Sequence, residues 1–183
     1  MTTPTGDSGA KIAALVAEHV VDVPDFPQHG VVFKDISPLL ADGAAFRRVV
    51  DAVVAAQGPA GFDVVAGIEA RGFVLAAAVA YAAGTGVVPV RKEGKLPRAT
   101  HSASYTLEYG RAVLEVHQDA FEPGQRVLVV DDVLATGGTA AATVDLITRA
   151  GGVVSGVTVL LELSFLGGRK RLAGQPLHAL LVV

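Results

Sequence analysis

Two adjacent acids, Asp131 and Asp132, stand just ahead of a run of small residues, Ala135-Thr136-Gly137-Gly138-Thr139. Gly137 and Gly138 allow positive φ and let a backbone approach an anion closely. The amides of Ala135 to Thr139 would then point inward at the positive end of a following helix, and the hydroxyls of Thr136 and Thr139 add donors. Carboxylates repel phosphate, so Asp131 and Asp132 need another partner: ribose hydroxyls, or a magnesium ion reached through water. A ligand carrying both a sugar and a phosphate satisfies the whole set.

The flanking residues predict how this set is held. Val127 to Val130 form an apolar run suited to a strand buried on both faces, with the two acids expected at its end. Ala140 to Arg149 has the apolar period of a helix. Strand, paired acids, glycine loop and helix in that order are how an α/β sheet presents a phosphate site at its carboxyl edge. The bland alternative is a buried strand with a solvated acidic turn. V-V-D-D alone fits that equally well, and T-G-G-T ahead of a helix tips the balance. A Walker-B strand is the other rival, but neither G-x-x-x-x-G-K-[ST] nor G-x-G-x-x-G occurs in the chain.

Two further groups share this design. Glu69-Ala70-Arg71-Gly72 follows an apolar strand and precedes a helix, so Arg71 is a second candidate anion contact. Arg91, Lys92 and Lys95 follow a third predicted strand and reach the same sheet edge, where they suit a more highly charged group such as pyrophosphate. Each could also be an ordinary turn or a solvated charge run. Glu108, in S-Y-T-L-E-Y-G, reads on pattern alone as an exposed ladder residue, and Phe33 as a core residue.

Bulk properties narrow the class. The 183 residues suffice for one domain with a full core, and 51% are hydrophobic against 18% charged. A net charge of −3 argues against a nucleic-acid surface. The chain has no cysteine, which removes disulfides, thiolate catalysis and Cys-based zinc sites together. Its five histidines show no metal-ligand spacing. Without a signal pattern, or an apolar run near the roughly 20 residues of a membrane span, a soluble cytoplasmic protein is expected.

Along the chain, residues 1–9 are expected to be disordered and 10–183 to form a single domain. Helices are predicted over Ala10–Val21, Gly43–Gln57, Gly72–Ala83 and Ala140–Arg149, and strands over Asp63–Ile68, Val87–Val90, Val153–Leu161 and His178–Val183. Arg91–Thr100 reads as a loop. Ser104–Glu108 and Ala112–His117 alternate as a β-hairpin extension, and Gly167–Ala173 is a short basic turn. The fold class is α/β, a mostly parallel central sheet flanked by helices.

The motif V-V-D-D-V-L-A-T-G-G-T resembles the phosphoribosyl-pyrophosphate motif of type I phosphoribosyltransferases. P-D-F-P-x-x-G-V-V-F-K-D-I-S-P-L-L, I-E-A-R-G-F, V-R-K-x-G-K-L-P, and S-Y-x-L-E-Y-G with D-A-F-E-P-G extend the likeness to the adenine-using branch of that family, in register from Pro24 to Leu166. The resemblance implies a small N-terminal hood over about 24–40 and a flexible hairpin loop over about 92–110. It implies purine salvage: transfer of the phosphoribosyl group to adenine, giving AMP and pyrophosphate, with Mg²⁺ held mainly through substrate and water rather than by protein ligands. Ala135, Thr136, Gly137, Gly138 and Thr139 would hold the 5′-phosphate, and Asp131 and Asp132 would face the ribose hydroxyls. Arg71 would contact pyrophosphate beside a cis Glu69–Ala70 peptide. Lys92, Lys95 and Arg91 would bind the pyrophosphate too, Arg91 from the partner subunit of a homodimer. Adenine would lie between Phe33 and the side chains of Val133 and Leu163, its edge read by backbone groups of Val32 and Lys34. Glu108 would serve the imidazole side of the purine, and Tyr109 would help close the site.

Two alternatives stand beside this. A 6-oxopurine enzyme of the family would carry an acid at position 135, where this chain has Ala135. A non-catalytic sensor of phosphoribosyl pyrophosphate would append a DNA-binding segment, for which there is no room before Ala10. If Glu108 assists the base, Glu108→Ala lowers turnover while sparing phosphoribosyl-pyrophosphate binding; an unchanged kcat in steady-state assays removes that role.

Overall fold

A computed structural model describes residues 7–58, 61–106 and 111–183. Helix α1 spans Asp7–His19, so Asp7, Ser8 and Gly9 are helical; the rest of the 1–9 segment expected to be disordered lies outside the described residues. Strands β1 (Val21–Pro24) and β2 (Val32–Asp35) pair antiparallel in a small sheet of their own, which overlaps the stretch where the resemblance implies a hood. After a short helix α2 (Ser37–Ala41), helix α3 (Gly43–Gln57) is capped by Asp42, whose side chain accepts from the amides of Ala44 and Ala45.

The rest of the chain builds one seven-stranded sheet. β3 (Val64–Ile68), helix α4 (Arg71–Ala83), β4 (Gly86–Lys92), β5 (Thr100–Thr106) and β6 (Arg111–His117) are followed by β7 (Arg126–Leu134), helix α5 (Gly138–Arg149), β8 (Val153–Glu162) and β9 (Leu177–Val182). Two 3-10 turns, Ser164–Leu166 and Gly168–Leu172, lie between β8 and β9. The spatial order is β5-β6-β4-β3-β7-β8-β9. β4, β3, β7, β8 and β9 run parallel, while β6 is antiparallel to both β4 and β5. This is the α/β architecture with a mostly parallel sheet and helices on both faces.

Side chains alternate between two cores. Val64, Ala66 and Ile68 of β3 join Val127 and Val129 of β7 under α5, whereas Val65, Leu128 and Val130 pack against α1, α3 and α4. Every residue of β3 is buried, as a central parallel strand covered on both faces requires. Burying each such Val or Leu contributes roughly 1.5–3 kcal/mol.

Three expectations need correction. β7 does not stop before the acids; β8 keeps pairing alongside it, with Asp131 opposite Val159 and Leu134 opposite Glu162. Arg91–Thr100 is not wholly a loop, because Arg91 and Lys92 extend β4 and pair with Glu115 and Leu114 of β6. The β5–β6 hairpin is therefore an integral edge of the main sheet rather than an appendage. Leu107, Glu108, Tyr109 and Gly110 lie outside the described residues.

At the amino-terminal ends of the two central strands, Asp63 fastens β3 to β7. Its carboxylate accepts from the Arg126 amide (2.8 Å) and Nε (3.0 Å) and pairs with Nη2 at 2.5 Å. The Arg126 guanidinium, then the Arg126 amide, hold the Asp63 carboxyl down to about 2. A lowered folded-state pKa gives stability that is full above the unfolded carboxylate value near 4 and is lost as pH falls toward about 2. Urea-denaturation midpoints of the wild type and Asp63→Asn should accordingly differ at pH 6 and converge across that window. A gap that does not vary with pH would show that the ion pair contributes nothing pH-dependent.

Candidate active site

β4, β3 and β7 are neighbours, and their carboxyl ends deliver all three groups singled out in the sequence to one edge of the sheet. β3 leads into Glu69-Ala70-Arg71, β4 into Arg91 to Lys95, and β7 into the acids and the 135–139 loop. A parallel sheet with crossovers on both faces opens its ligand crevice at such an edge.

The loop after β7 is shaped by Gly137, whose φ of +79° only glycine adopts without cost. Gly137 caps α5, and its carbonyl accepts from the Ala141 amide at 3.0 Å. The loop amides thus precede the positive end of a twelve-residue helix, the arrangement suited to phosphate. Ala135, Thr136 and Thr139 are partly accessible, whereas Gly137 and Gly138 are buried.

The acids differ in environment. Asp132 is 6% exposed and lies 2.6 Å, through Oδ2, from Nε of Arg71. Asp131 receives the Asp132 amide at 2.9 Å. Burial first, and then the charge of Asp132, push its pKa well above the usual carboxylate range, so the pair resists carrying two negative charges. The start of α4 is pressed against this carboxylate. A Cβ on Gly72 would lie 2.8 Å from Asp131 Oδ1 and 3.0 Å from the Val130 carbonyl, so no side chain fits there.

Arg71 reaches three ways. Besides Asp132, it donates through Nη1 to the Lys34 carbonyl (3.3 Å), and its guanidinium lies 4.5 Å from the centre of the Phe33 ring. Phe26, which sequence reasoning passed over, meets Phe33 edge to face at 5.1 Å. The hood is thereby tied to the sheet edge through Phe33 and the Lys34 backbone. Lys34 itself turns its ammonium to Asp22 at 2.6 Å. Val32 is exposed on the same strand, Val133 is opposite Leu161 on the β7–β8 ladder, and the Leu163 amide donates to the Leu134 carbonyl.

The Glu69–Ala70 peptide is cis. The Glu69 side chain is not turned to a ligand: Oε2 accepts from the Lys92 amide (3.0 Å) and Arg91 Nε (3.2 Å). Burial opposes its charge, but the Lys92 amide and the Arg91 guanidinium outweigh it and hold its pKa below the ordinary value. Arg91 also donates to the Lys95 carbonyl and stands over Phe73. Within one chain, then, Arg91 serves its own Glu69. Lys92 and Lys95 are exposed, and no carboxylate among the described residues pairs with either.

Glu115 was not legible from pattern. It is 9% exposed on β6, and its carboxylate accepts from the Gly94 amide (2.9 Å) and the hydroxyls of Ser102 (3.2 Å) and Thr100 (3.4 Å). It therefore anchors the cationic loop to the hairpin. In sequence it looks like any acid in an alternating strand. Glu108 and Tyr109 lie outside the described residues.

Residues 42–168 match the model of the phosphoribosyl transferase domain. The chain is 70% identical to the adenine phosphoribosyltransferase of Salinispora tropica over 97% of its own length and 95% of the relative's. Its fold superposes with a TM-score of 0.90 on the crystal structure of adenine phosphoribosyltransferase from Thermoanaerobacter pseudethanolicus, at 46% identity, covering 93% of this chain and 99% of that one. The Saccharomyces cerevisiae enzyme, solved with an imino-altritol bisphosphate and adenine, matches with a TM-score of 0.88 at 34% identity, covering 93% and 99%. With a matched domain over residues 42–168 and relatives shared over nearly the whole length, this chain belongs to the phosphoribosyltransferase family, among the adenine phosphoribosyltransferases.

Proposed function

We propose that this chain transfers the 5-phosphoribosyl group of phosphoribosyl pyrophosphate to adenine, releasing pyrophosphate and forming AMP in purine salvage. The observation that carries this is the convergence of the β7 acids and glycine loop, Arg71 and the Lys92–Lys95 cations on one sheet edge. Near-full-length likeness to enzymes named for adenine supports the choice of base.

In this mechanism the amides of Ala135 to Thr139, with the Thr136 and Thr139 hydroxyls, bind the 5′-phosphate, and Asp131 and Asp132 accept from the ribose hydroxyls. The C1′–O bond to pyrophosphate breaks as the purine nitrogen bonds to C1′, through an oxocarbenium-like state. Arg71, Lys92 and Lys95 stabilise the charge building on the departing oxygens, with Arg91 set beside them by Glu69. Adenine lies against Phe33, Val133 and Leu163, with the Val32 and Lys34 backbone reading its edge. That placement requires the Arg71 guanidinium to exchange its contacts with Phe33 and the Lys34 carbonyl for the pyrophosphate. Glu108 serves the imidazole side of the base, and Tyr109 helps close the site.

Among the described residues no three His, Asp or Glu side chains gather into a protein cage for a metal. Asp131 and Asp132 would be the carboxylates available, through water or ribose, to a magnesium ion brought in by the diphosphate. Bound there, magnesium supplies charge neutralisation on the diphosphate. No described helix is long and apolar enough to cross a membrane, and action in the cytoplasm belongs to the same proposal.

A homodimer is part of it too. Val74 and Tyr81 lie seven residues apart on α4, 46% and 90% exposed, and Val87 of the adjoining β4 is 45% exposed. Exposed apolar side chains on one helix face and the adjoining strand suit a two-fold interface.

Pyrophosphate release by the purified chain with phosphoribosyl pyrophosphate and Mg²⁺ tests the reaction. Adenine should support it, and hypoxanthine and guanine should not; release with an oxopurine would overturn the base assignment. Tyr81→Glu should shift the mass by light scattering from dimer to monomer, and an unshifted dimer would move the interface elsewhere.

A further inference from the structure

We propose that Gly168 and the Glu162–Arg169 ion pair form a buttress that sets the shape of the 135–139 loop and, through it, the affinity for the ligand's 5′-phosphate. This rests on the transferase reading above and adds positioning residues that touch no ligand.

The loop has little of its own to hold it. Its side chains are one methyl, two hydroxyl-bearing groups and two hydrogens, and Gly137 adopts a left-handed conformation. A surface that aims several amides at one anion needs an external template to stay in that shape. Gly168 supplies one by direct backbone contact. A Cβ on Gly168 would fall 2.2 Å from the Ala135 carbonyl oxygen and 2.9 Å from the Gly137 amide nitrogen. Reciprocally, a Cβ on Gly137 would fall 2.5 Å from the Gly168 carbonyl oxygen. Two glycine backbones meet with nothing between them, and neither can move without moving the other.

The next residue locks the template. Arg169 Nε donates to both carboxylate oxygens of Glu162, at 2.9 and 3.2 Å, and Nη2 pairs with Oε2. Nη1 reaches the Leu177 carbonyl on β9 at 3.4 Å. A forked guanidinium–carboxylate pair fixes direction as well as distance. Glu162 is 5% exposed and stands opposite Leu134, the last residue of β7 before the loop. The contacts therefore close a ring: Leu134, loop, Gly168, Arg169, Glu162, and back to Leu134. Leu163 follows Glu162, but its amide bonds the Leu134 carbonyl directly, a ladder contact that passes through neither Gly168 nor Arg169. Loosening the lock should thus fall on the phosphate and not on the base.

The experiment uses the full chain with three readouts: KM for phosphoribosyl pyrophosphate, KM for adenine, and the calorimetric dissociation constant of AMP. Arg169→Ala and Gly168→Ala should each raise the first and third by about tenfold, while kcat and the adenine KM stay within about twofold. Arg169→Lys, which keeps the charge but loses the fork, should fall between wild type and Arg169→Ala. Removing Arg169 alone strands a buried carboxylate, so the Glu162→Gln/Arg169→Gln double variant serves where the single variant does not fold. Folded variants with unchanged AMP affinity, or with adenine and AMP weakened equally, would overturn the buttress. A wild-type chain that binds no AMP would instead overturn the transferase reading, and this proposal with it.

Discussion

The contact between Arg71 and Asp132 is the hinge on which the candidate site turns. A carboxylate only 6% exposed must be met by a cation or lose its charge. Arg71, at the first turn of α4, meets it at the end of β7, and the same guanidinium holds the hood through Phe33 and the Lys34 carbonyl. One side chain thus joins three elements far apart in sequence. The constraint explains the neighbouring glycine as well. For Arg71 to reach Asp132, α4 must begin almost on top of Asp131, and only the bare Cα of Gly72 allows that approach.

The same crowding governs charge. With Asp132 committed to Arg71, and Asp131 pushed up by burial and by its neighbour, the strand end resists a second full negative charge. That matters for a site proposed to receive a ligand with two phosphate-bearing ends. Two free carboxylates would repel it, whereas one paired acid and one reluctant acid leave hydrogen-bonding oxygens for ribose with less opposing charge.

What could be read from the sequence was whatever a local pattern carries. Val127–Val130 is apolar on both faces because β7 is central, and T-G-G-T precedes α5 as a glycine loop precedes a phosphate-binding helix. The Glu69–Ala70–Arg71 turn and the Arg91–Lys95 loop were legible for the same reason, each following an apolar strand. What escaped depends on partners distant in sequence. The acids Asp131 and Asp132 prolong β7 because β8 keeps offering pairs, which no property of D-D reveals. Val21, expected at the end of the first helix, instead opens β1, a strand that forms only against Val32–Asp35. Gly168 sits in what looks like a basic turn, and its need for a missing side chain arises from the Ala135 carbonyl, thirty-three positions away. Glu115 has the spacing of a solvent-facing acid and is instead buried under Gly94, Thr100 and Ser102.

Glu115 and Glu69 bear on how a chain with a net charge of −3 can present a cationic mouth. Both acids lie next to the Arg91–Lys95 loop in space, and on the surface they would neutralise it. Instead each is turned inward and accepts from one backbone amide, Lys92 for Glu69 and Gly94 for Glu115, with Arg91 completing the first and the Thr100 and Ser102 hydroxyls the second. Those two amides lie at the end of β4 and in the turn that follows it. The acids therefore fix the loop's backbone without drawing its lysine ammoniums down, and only Arg91 is recruited as a strut. Lys92 and Lys95 remain exposed with no described carboxylate as partner. Amide-bound acids beneath and unpaired lysines above give an anion-facing rim that depends on where each charge is turned, not on how many of each sign the chain contains.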